Sequence, residues 1–585
     1  MAILVCLLPF LLALGLALLV PSPPRLDMTL ASSAELLTDP FLQYPTSDSV
    51  RVVWFTEFPG VRHWVNYGRD LELKAIATSQ KLSRLREDTR SRIPTPPTQP
   101  TFRPIWRHEA LITPLTPGQR LPYQVTSLKT PEDPLYSAVF TLTPTPPPGT
   151  PLKILLTSDH QLMPMTAANL QKVVETIGFI DGVFLAGDLT NIPDRASEWF
   201  DDQRGGAFFP CLQGRAQYTL EKNEQTTLYQ GGQIIQNAPL FPALGNHEVM
   251  GRFSMTEPLG EQFNHAYPRE QAEAHYAQQF ANLNIAEDPT FKAAWIKANS
   301  FNTDTYEEIF SLPEHSPGGK KYYAITFGDV RLIVLYITNI WRVPSLDDTA
   351  LSRYREPTYN LQNPEKWGYG QHIFESIQPG SSQYEWLINE LDSPEFKRAK
   401  YKIVMFHHPP HTLGGNIVPA YTNPRQTILT DPTGQVQKVR YEYPLEDDHI
   451  IQHLEPLLTE KGVHLVYYGH SHLWNRFRNK AGVNFLESSN IGNSYGAYFS
   501  DEKRPIPEGY QATYVATGNP NGLEPIVPTI DPLFDEQGQP LPYIASNDIT
   551  VFSILDTQKG TISSYRFDTR QPMTQVVKFD EFDVR

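Results

Sequence analysis

Apolar and polar positions along the chain follow two different periods, and the change falls near residue 150. Before it, short β-branched and aromatic runs recur between turn residues: VRVVWFTE (50–57), WVNYG (64–68), HEALIT (108–113), LPYQVTS (121–127) and SAVFTLT (137–143). Runs of this kind predict strands, and several within about a hundred residues predict an all-β sandwich. A polar stretch at roughly 71–104, rich in Thr, Ser, Arg and Pro, interrupts the series. TPTPPPGTP (143–151) reads as a semi-rigid linker and a domain boundary.

Beyond the linker, LKILLTSD (152–159) is a buried-type strand ending in an acid, AANLQKVVETIG (167–178) has helical spacing, and GVFLAGD (182–188) is a second such strand. Together they predict a βαβ unit with polar groups at the carboxyl ends of its strands. The pattern recurs in PLFPALGNHE (239–248), YAITFGDVRLIVLYIT (323–338), KYKIVMFHHPP (400–410) and GVHLVYYGHSH (462–472). Residues 251–304 read as an insertion without a recognisable motif. From about 505 the chain is Pro-rich and irregular, then returns to strands in ITVFSILD (549–556) and GTISSYRFD (560–568). The reading divides the chain into a leader (1–24), a β-sandwich (38–144), a linker (145–151) and an α/β domain (152–585) with a β-rich C-terminal extension.

Composition adds little to the fold but limits the partners. The chain has 585 residues, 40% hydrophobic and 19% charged, with a net charge of -15. A scattered acidic surface repels long polyanions, so no dedicated nucleic-acid partner is expected. A small phosphorylated substrate is still compatible, because bound cations reverse the local field. Residues 2–20 are apolar without interruption by charge and read as an export leader or membrane anchor, although no basic residues precede them. Export is therefore expected, to a periplasmic, extracellular or membrane-anchored cell-surface location, with any membrane contact made through this segment. With only two cysteines, Cys6 in the leader and Cys211, no disulfide framework bears on the compartment.

Taken singly, Asp159, Asp188, His247 or either histidine of GHSH would pass for a helix cap or an ordinary loop residue. Taken in order, Asp159, Gly187–Asp188, GNHE (245–248), HHP (407–409) and GHSH (469–472) all follow apolar strands. They are expected along one edge of a sheet. Carboxylates, an Asn carbonyl and imidazoles suit divalent transition metals, and the neighbouring glycines allow sharp turns. No GxSxG elbow and no glycine-rich nucleotide loop occurs.

This set resembles the signature of calcineurin-type metallophosphoesterases, and its details resemble the purple acid phosphatases. DPFLQYPTSDSVRVVWFTE, VNYG and HEALITPLTPGQRLPYQV resemble their fibronectin-III-like front domain. The resemblance implies a fibronectin-III-like sandwich followed by a two-sheet α/β metallophosphoesterase core flanked by helices. It also implies two divalent or mixed-valence ions (Fe, Zn or Mn). Asp188 would bridge them, Asp159 and His472 would bind the first, and Asn246, His407 and His470 the second. His407 is preferred to His408 because it stands two before Pro409, as the family's His-x-Pro pattern has it. His247 would act on the leaving group, with Glu248 orienting it.

Two positions depart from the family. Gln161 stands where the general pattern has histidine, and Asn191 where the purple enzymes have tyrosine. Their amide oxygens, or water, are the candidates to complete the first metal; His160 is a further one, but its side chain is expected to point away from Asp159. The implied activity is hydrolysis of phosphate monoesters by water activated between the ions. The alternatives are a phosphodiesterase or nucleotidase on the same fold, or a surface binding protein with a degenerate core.

Overall fold

The front of the chain forms two antiparallel sheets around an apolar core that includes Trp54, Val52, Val65, Tyr123 and Val125. In the computed structural model, which describes residues 36–281, 288–417, 420–504, 508–510 and 523–585, the first of these sheets is ordered Phe41–Gln43, Val50–Thr56, Trp106–Ile112, Thr78–Lys81. The second is ordered Asp133–Tyr136, Leu121–Thr130, Arg62–Tyr67, Leu73–Ile76, with Phe140–Leu142 also pairing Leu121–Thr130. The leader lies outside the described residues, and among those described no helix is long and apolar enough to cross a membrane.

The polar stretch at 71–104 is not simply an interruption. Leu73–Ile76 and Thr78–Lys81 add an edge strand to each sheet. Both are largely exposed, so they carry Lys, Thr, Ser and Gln in place of an alternating apolar pattern, as edge strands commonly do. Further on, Arg86 and Asp88 are buried and ion-paired to Asp194 and Arg195, at 2.7 and 3.2 Å. These pairs tie the stretch to the loop that follows Asp188.

Two larger sheets follow the linker. The six-stranded one is ordered Leu240–Pro242, Gly182–Leu185, Lys153–Thr157, Ile549–Asp556, Thr561–Asp568, Val577–Asp583. Its first three strands are parallel, as the βαβ reading requires, and the C-terminal strands join antiparallel to Lys153–Thr157. The seven-stranded sheet contains Val330–Val334, Tyr401–Met405, Leu465–Tyr468 and Asn484–Ser488 side by side and parallel. One core joins the two: Leu155, Val183 and Leu185 cluster with Leu332, Val334, Ile403, Met405 and Tyr467. The opposite face of the second sheet, with Ile333, Val404 and Val466, is covered by apolar residues such as Leu387 of helix Ser382–Leu391. Strands buried on both faces explain the near-continuous apolar runs in the sequence. The parallel strands of both sheets deliver their carboxyl ends, with the polar motifs, to one side of the core.

Candidate metal centre

Each motif turns sharply as it leaves its strand. Asp159, Asp188, His470 and His472 all have positive φ, at 53°, 57°, 83° and 54°. A left-handed backbone costs a non-glycine residue of order 1–3 kcal/mol, and such strain is retained where the surroundings over-determine it. The glycines make close approach possible. A Cβ on Gly245 would lie 2.1 Å from Asp188 Oδ1, and one on Gly469 2.3 Å from Asp159 Oδ2.

The six predicted ligands converge. The Asp159 carboxylate accepts the His470 N–H, at 3.1 and 3.0 Å, and lies 3.3 Å from His472 Nε2. Asp188 Oδ2 lies 3.2 Å from His407 Nε2. His407 Nε2 is also 3.1 Å from His470 Nδ1. Asn246 lines the same cavity as Asp188, His470 and His472. Donor atoms of Asp159, Asp188 and His407 all fall within 4.8 Å of one another, as do those of His407, His408 and His470.

The remote nitrogens of two histidines are anchored. His407 Nδ1 sits 2.8 Å from the Ala186 carbonyl and His472 Nδ1 2.5 Å from Asn493 Oδ1. Nδ1 therefore donates, and Nε2 is the nitrogen turned inward to the carboxylates, where a cation would take the place of its proton, the usual orientation for a ligating imidazole. Below the His470–His472 turn, buried Glu487 accepts the Ser471 N–H at 2.9 Å.

The donor set fits cations. Asn246 Oδ1, His470 Nε2 and Gln161 Oε1 are buried without a hydrogen-bond partner, an arrangement that costs free energy unless something else satisfies it. The electrostatics agree. Burial opposes protonation of His407, but the Asp188 and Asp159 carboxylates outweigh it and lift the imidazole to about 9. Burial and the neighbouring imidazoles push His470 far below its ordinary value, leaving it neutral. The carboxylates thus call for positive charge, while neutral His470 leaves its Nε2 without a partner.

At the departures from the family pattern, Gln161 donates Nε2 to Asp188 Oδ2 at 3.2 Å, which brings its amide to the centre. Asn191 turns its amide nitrogen to the Gln161 carbonyl at 2.6 Å and so braces the first loop. His160 is turned aside, with Nε2 2.8 Å from Thr157 Oγ1, as expected.

The role expected of Glu248 requires correction. Its Oε2 accepts the N–H groups of Asp188 and Gly245, at 2.8 and 2.7 Å, and Oε1 accepts that of Leu189, at 2.7 Å. His247 is instead oriented by a backbone carbonyl, with Nδ1 2.7 Å from Asn191 O. Adjacent residues in a single 3₁₀ turn, Asn246–Glu248, face different ways, so Glu248 clamps the loops of Asp188 and Gly245 from behind while His247 lines the cavity. Burial and the Asp188 charge push Glu248 up to about 8. Both its oxygens are nevertheless taken up by N–H donors, which favours the carboxylate form.

The cavity in front of these groups measures about 440 Å³. Its walls include Phe263, Trp341 and Tyr495, which the sequence reading did not assign to the site. Phe263 comes from the 251–304 insertion and lies near-parallel to His247, with 5.1 Å between ring centroids. Tyr495 lies over His472, at 4.6 Å. All three are aromatic residues in segments without strand or long-helix periodicity, and their spacing in sequence gave no signal.

A family model described as calcineurin-like phosphoesterase matches residues 152–473, more than half of the chain. Among solved structures, a purple acid phosphatase isolated from yellow lupin (Lupinus luteus) seeds matches at 15% identity and a TM-score of 0.53, covering 93% of this chain and 73% of that one. Vertebrate Astrotactin-2 matches over 24% of this chain and 26% of its own, at 11% identity and a TM-score of 0.13. No curated protein matches the chain significantly.

Proposed function

The chain belongs to the calcineurin-like phosphoesterase family, whose members are metal-dependent hydrolases, and from that premise we propose that it hydrolyses phosphate monoesters at a two-metal centre. The observation that carries this reading is the convergence of unpartnered Asn246 Oδ1, His470 Nε2 and Gln161 Oε1 on the Asp159–Asp188–His407 cluster, beside a cavity edged by His247. The fold shared with the lupin purple acid phosphatase supports it further. Asp188 would serve both ions, Asp159 and His472 would hold the first, with Gln161 in reach, and Asn246, His407 and His470 would hold the second. When bound, such a pair orients the phosphate, neutralises its charge and activates the attacking water. His247, held at Nδ1 by Asn191 O, turns Nε2 toward the leaving group and supplies its proton. Glu248 and Glu487 keep the loops in register.

The test compares p-nitrophenyl phosphate with bis-p-nitrophenyl phosphate on protein loaded with zinc, manganese or iron. The reading expects faster turnover of the monoester; preference for the diester would make the protein a phosphodiesterase on the same centre. The replacements at 161 and 191 favour one second reading, a binding protein with a degenerate first site. Turnover of neither ester, together with fewer than two ions bound per chain after metal supplementation, would establish it. We also read the apolar N-terminal run as directing export, which N-terminal sequencing and fractionation of the expressed full chain would test.

A further inference from the structure

We propose that the site selects esters carrying one phosphate and a flat apolar leaving group, and that Phe263 and Trp341 grip that group. The inference rests on the two-metal reading and adds to it the class of substrate.

The cavity lining combines the polar groups of the candidate metal centre with apolar side chains, among them Phe263, Ile340, Trp341 and Phe374. Trp341 is 40% exposed, a large ring left open to solvent at the mouth of a catalytic cavity. Phe263 stacks on the His247 ring, with 5.1 Å between centroids, so a leaving group that receives a proton from His247 has an aromatic ring beside it. Aromatic pairs favour offset-stacked or edge-to-face contact at such positions. Tyr495, 57% exposed, adds a further aromatic ring to the lining beside His472.

Charge argues the same way. Among the described residues, no lysine or arginine lines this cavity. The nearby arginines are used in the walls themselves. Arg342 donates to the Asn264 and Gly368 carbonyls, while Arg252 donates to the Asn299 carbonyl and lies over the Tyr267 ring. Two bound ions can neutralise one phosphate, but a second or third phosphate would meet the apolar side chains of the lining on a protein of net charge -15. Burying an unpaired charge is costly, so nucleoside di- and triphosphates and polyphosphorylated compounds are poor fits.

The test uses non-hydrolysable analogues, which separates recognition from leaving-group reactivity. Inhibition constants of benzylphosphonate, ethylphosphonate and methylenediphosphonate are measured against p-nitrophenyl phosphate hydrolysis by the full, metal-loaded chain. Benzylphosphonate should bind on the order of tenfold more tightly than ethylphosphonate, from stacking and apolar burial. Methylenediphosphonate should gain nothing from its second phosphonate beyond direct metal chelation, assessed by the metal content after dialysis. In Trp341→Ala the benzyl-to-ethyl ratio should fall toward one, and in Trp341→Phe it should be largely restored. Metal content and far-ultraviolet circular dichroism establish that the variants are folded. Equal inhibition by the two phosphonates in an active wild-type enzyme would overturn the inference and leave the phosphatase reading standing. A wild-type ratio that survives Trp341→Ala would overturn the role of Trp341. Absence of any phosphoester turnover would overturn both readings together.

Discussion

Replacing Glu248 with glutamine turns one oxygen of a fully buried carboxylate into an amide nitrogen while preserving its size. The native carboxylate accepts three backbone N–H groups, those of Asp188, Gly245 and Leu189. Glutamine has a single acceptor oxygen. Placed at Oε2 it can keep the Asp188 and Gly245 bonds, but its NH₂ then faces the Leu189 N–H, donor against donor. A hydrogen bond to a charged group is worth about 1.5–3 kcal/mol, and a buried donor left unsatisfied costs about 1–3 kcal/mol. Losing one bond and weakening two therefore predicts a local cost of about 3–5 kcal/mol. That cost falls on Asp188, whose left-handed backbone (φ 57°) depends on its surroundings, and on the glycine packed against its carboxylate. Relaxation there moves the Asp188 carboxylate, and a misplacement of about 1 Å can cost about 10²-fold in rate. The expected outcome for Glu248→Gln is a fall in kcat/KM of about 10²-fold, weaker metal binding and a lower melting temperature. Turnover measured across a metal titration, together with thermal unfolding, checks it. If Glu248 instead oriented His247, the variant would keep wild-type metal affinity and lose rate chiefly on substrates with poor leaving groups. That result would refute the clamp.

Three further outcomes follow from the same geometry. His247→Ala should retain both ions and lose about 10²–10⁴-fold in kcat, with the loss shrinking for esters of acidic phenols that need no proton; a fall in metal content by elemental analysis would make His247 a ligand. Iron-loaded wild-type protein should show no intense visible band, because Asn191 offers no phenolate and its amide is engaged with Gln161, whereas Asn191→Tyr should gain colour. If the wild type is coloured, loss of the band in Tyr495→Phe would identify the cavity tyrosine as the ligand. In the front sandwich, burial and the charges of His63 and Arg107 hold His108 down at about 2. The unfolded chain takes up a proton there below about pH 6.5 and the folded chain does not. Stability is therefore full above 6.5 and falls by up to about 1.4 kcal/mol per pH unit below it. His108→Gln should flatten the acid limb of the denaturant-unfolding profile between pH 6.5 and 4.5, and an unchanged limb would remove His108 as its cause.

The residues of the candidate metal centre were legible because each follows an apolar strand. Once Lys153–Thr157, Gly182–Leu185, Tyr401–Met405 and Leu465–Tyr468 are placed in parallel arrays, their carboxyl ends bring Asp159, Asp188, His407, His470 and His472 together. Direction within a turn was not legible. Adjacency in GNHE suggested that Glu248 serves His247, whereas the 3₁₀ turn sends the carboxylate behind the loops and a backbone carbonyl takes the imidazole. The strands at 73–81 were hidden because edge positions facing water carry no alternation. Phe263, Trp341 and Tyr495 were hidden for a related reason. Each lies in a loop or a short helix whose position is set by tertiary contacts and not by its own periodicity.

The central claim is that Asp188 holds two ions between loops that the fold has already strained into place. Elemental analysis of purified, metal-supplemented wild-type protein and of Asp188→Asn, after identical dialysis, tests it directly. The account predicts two transition-metal ions per wild-type chain and loss of at least one in the variant, with the circular dichroism spectrum unchanged. Two ions retained equally by both proteins would contradict it.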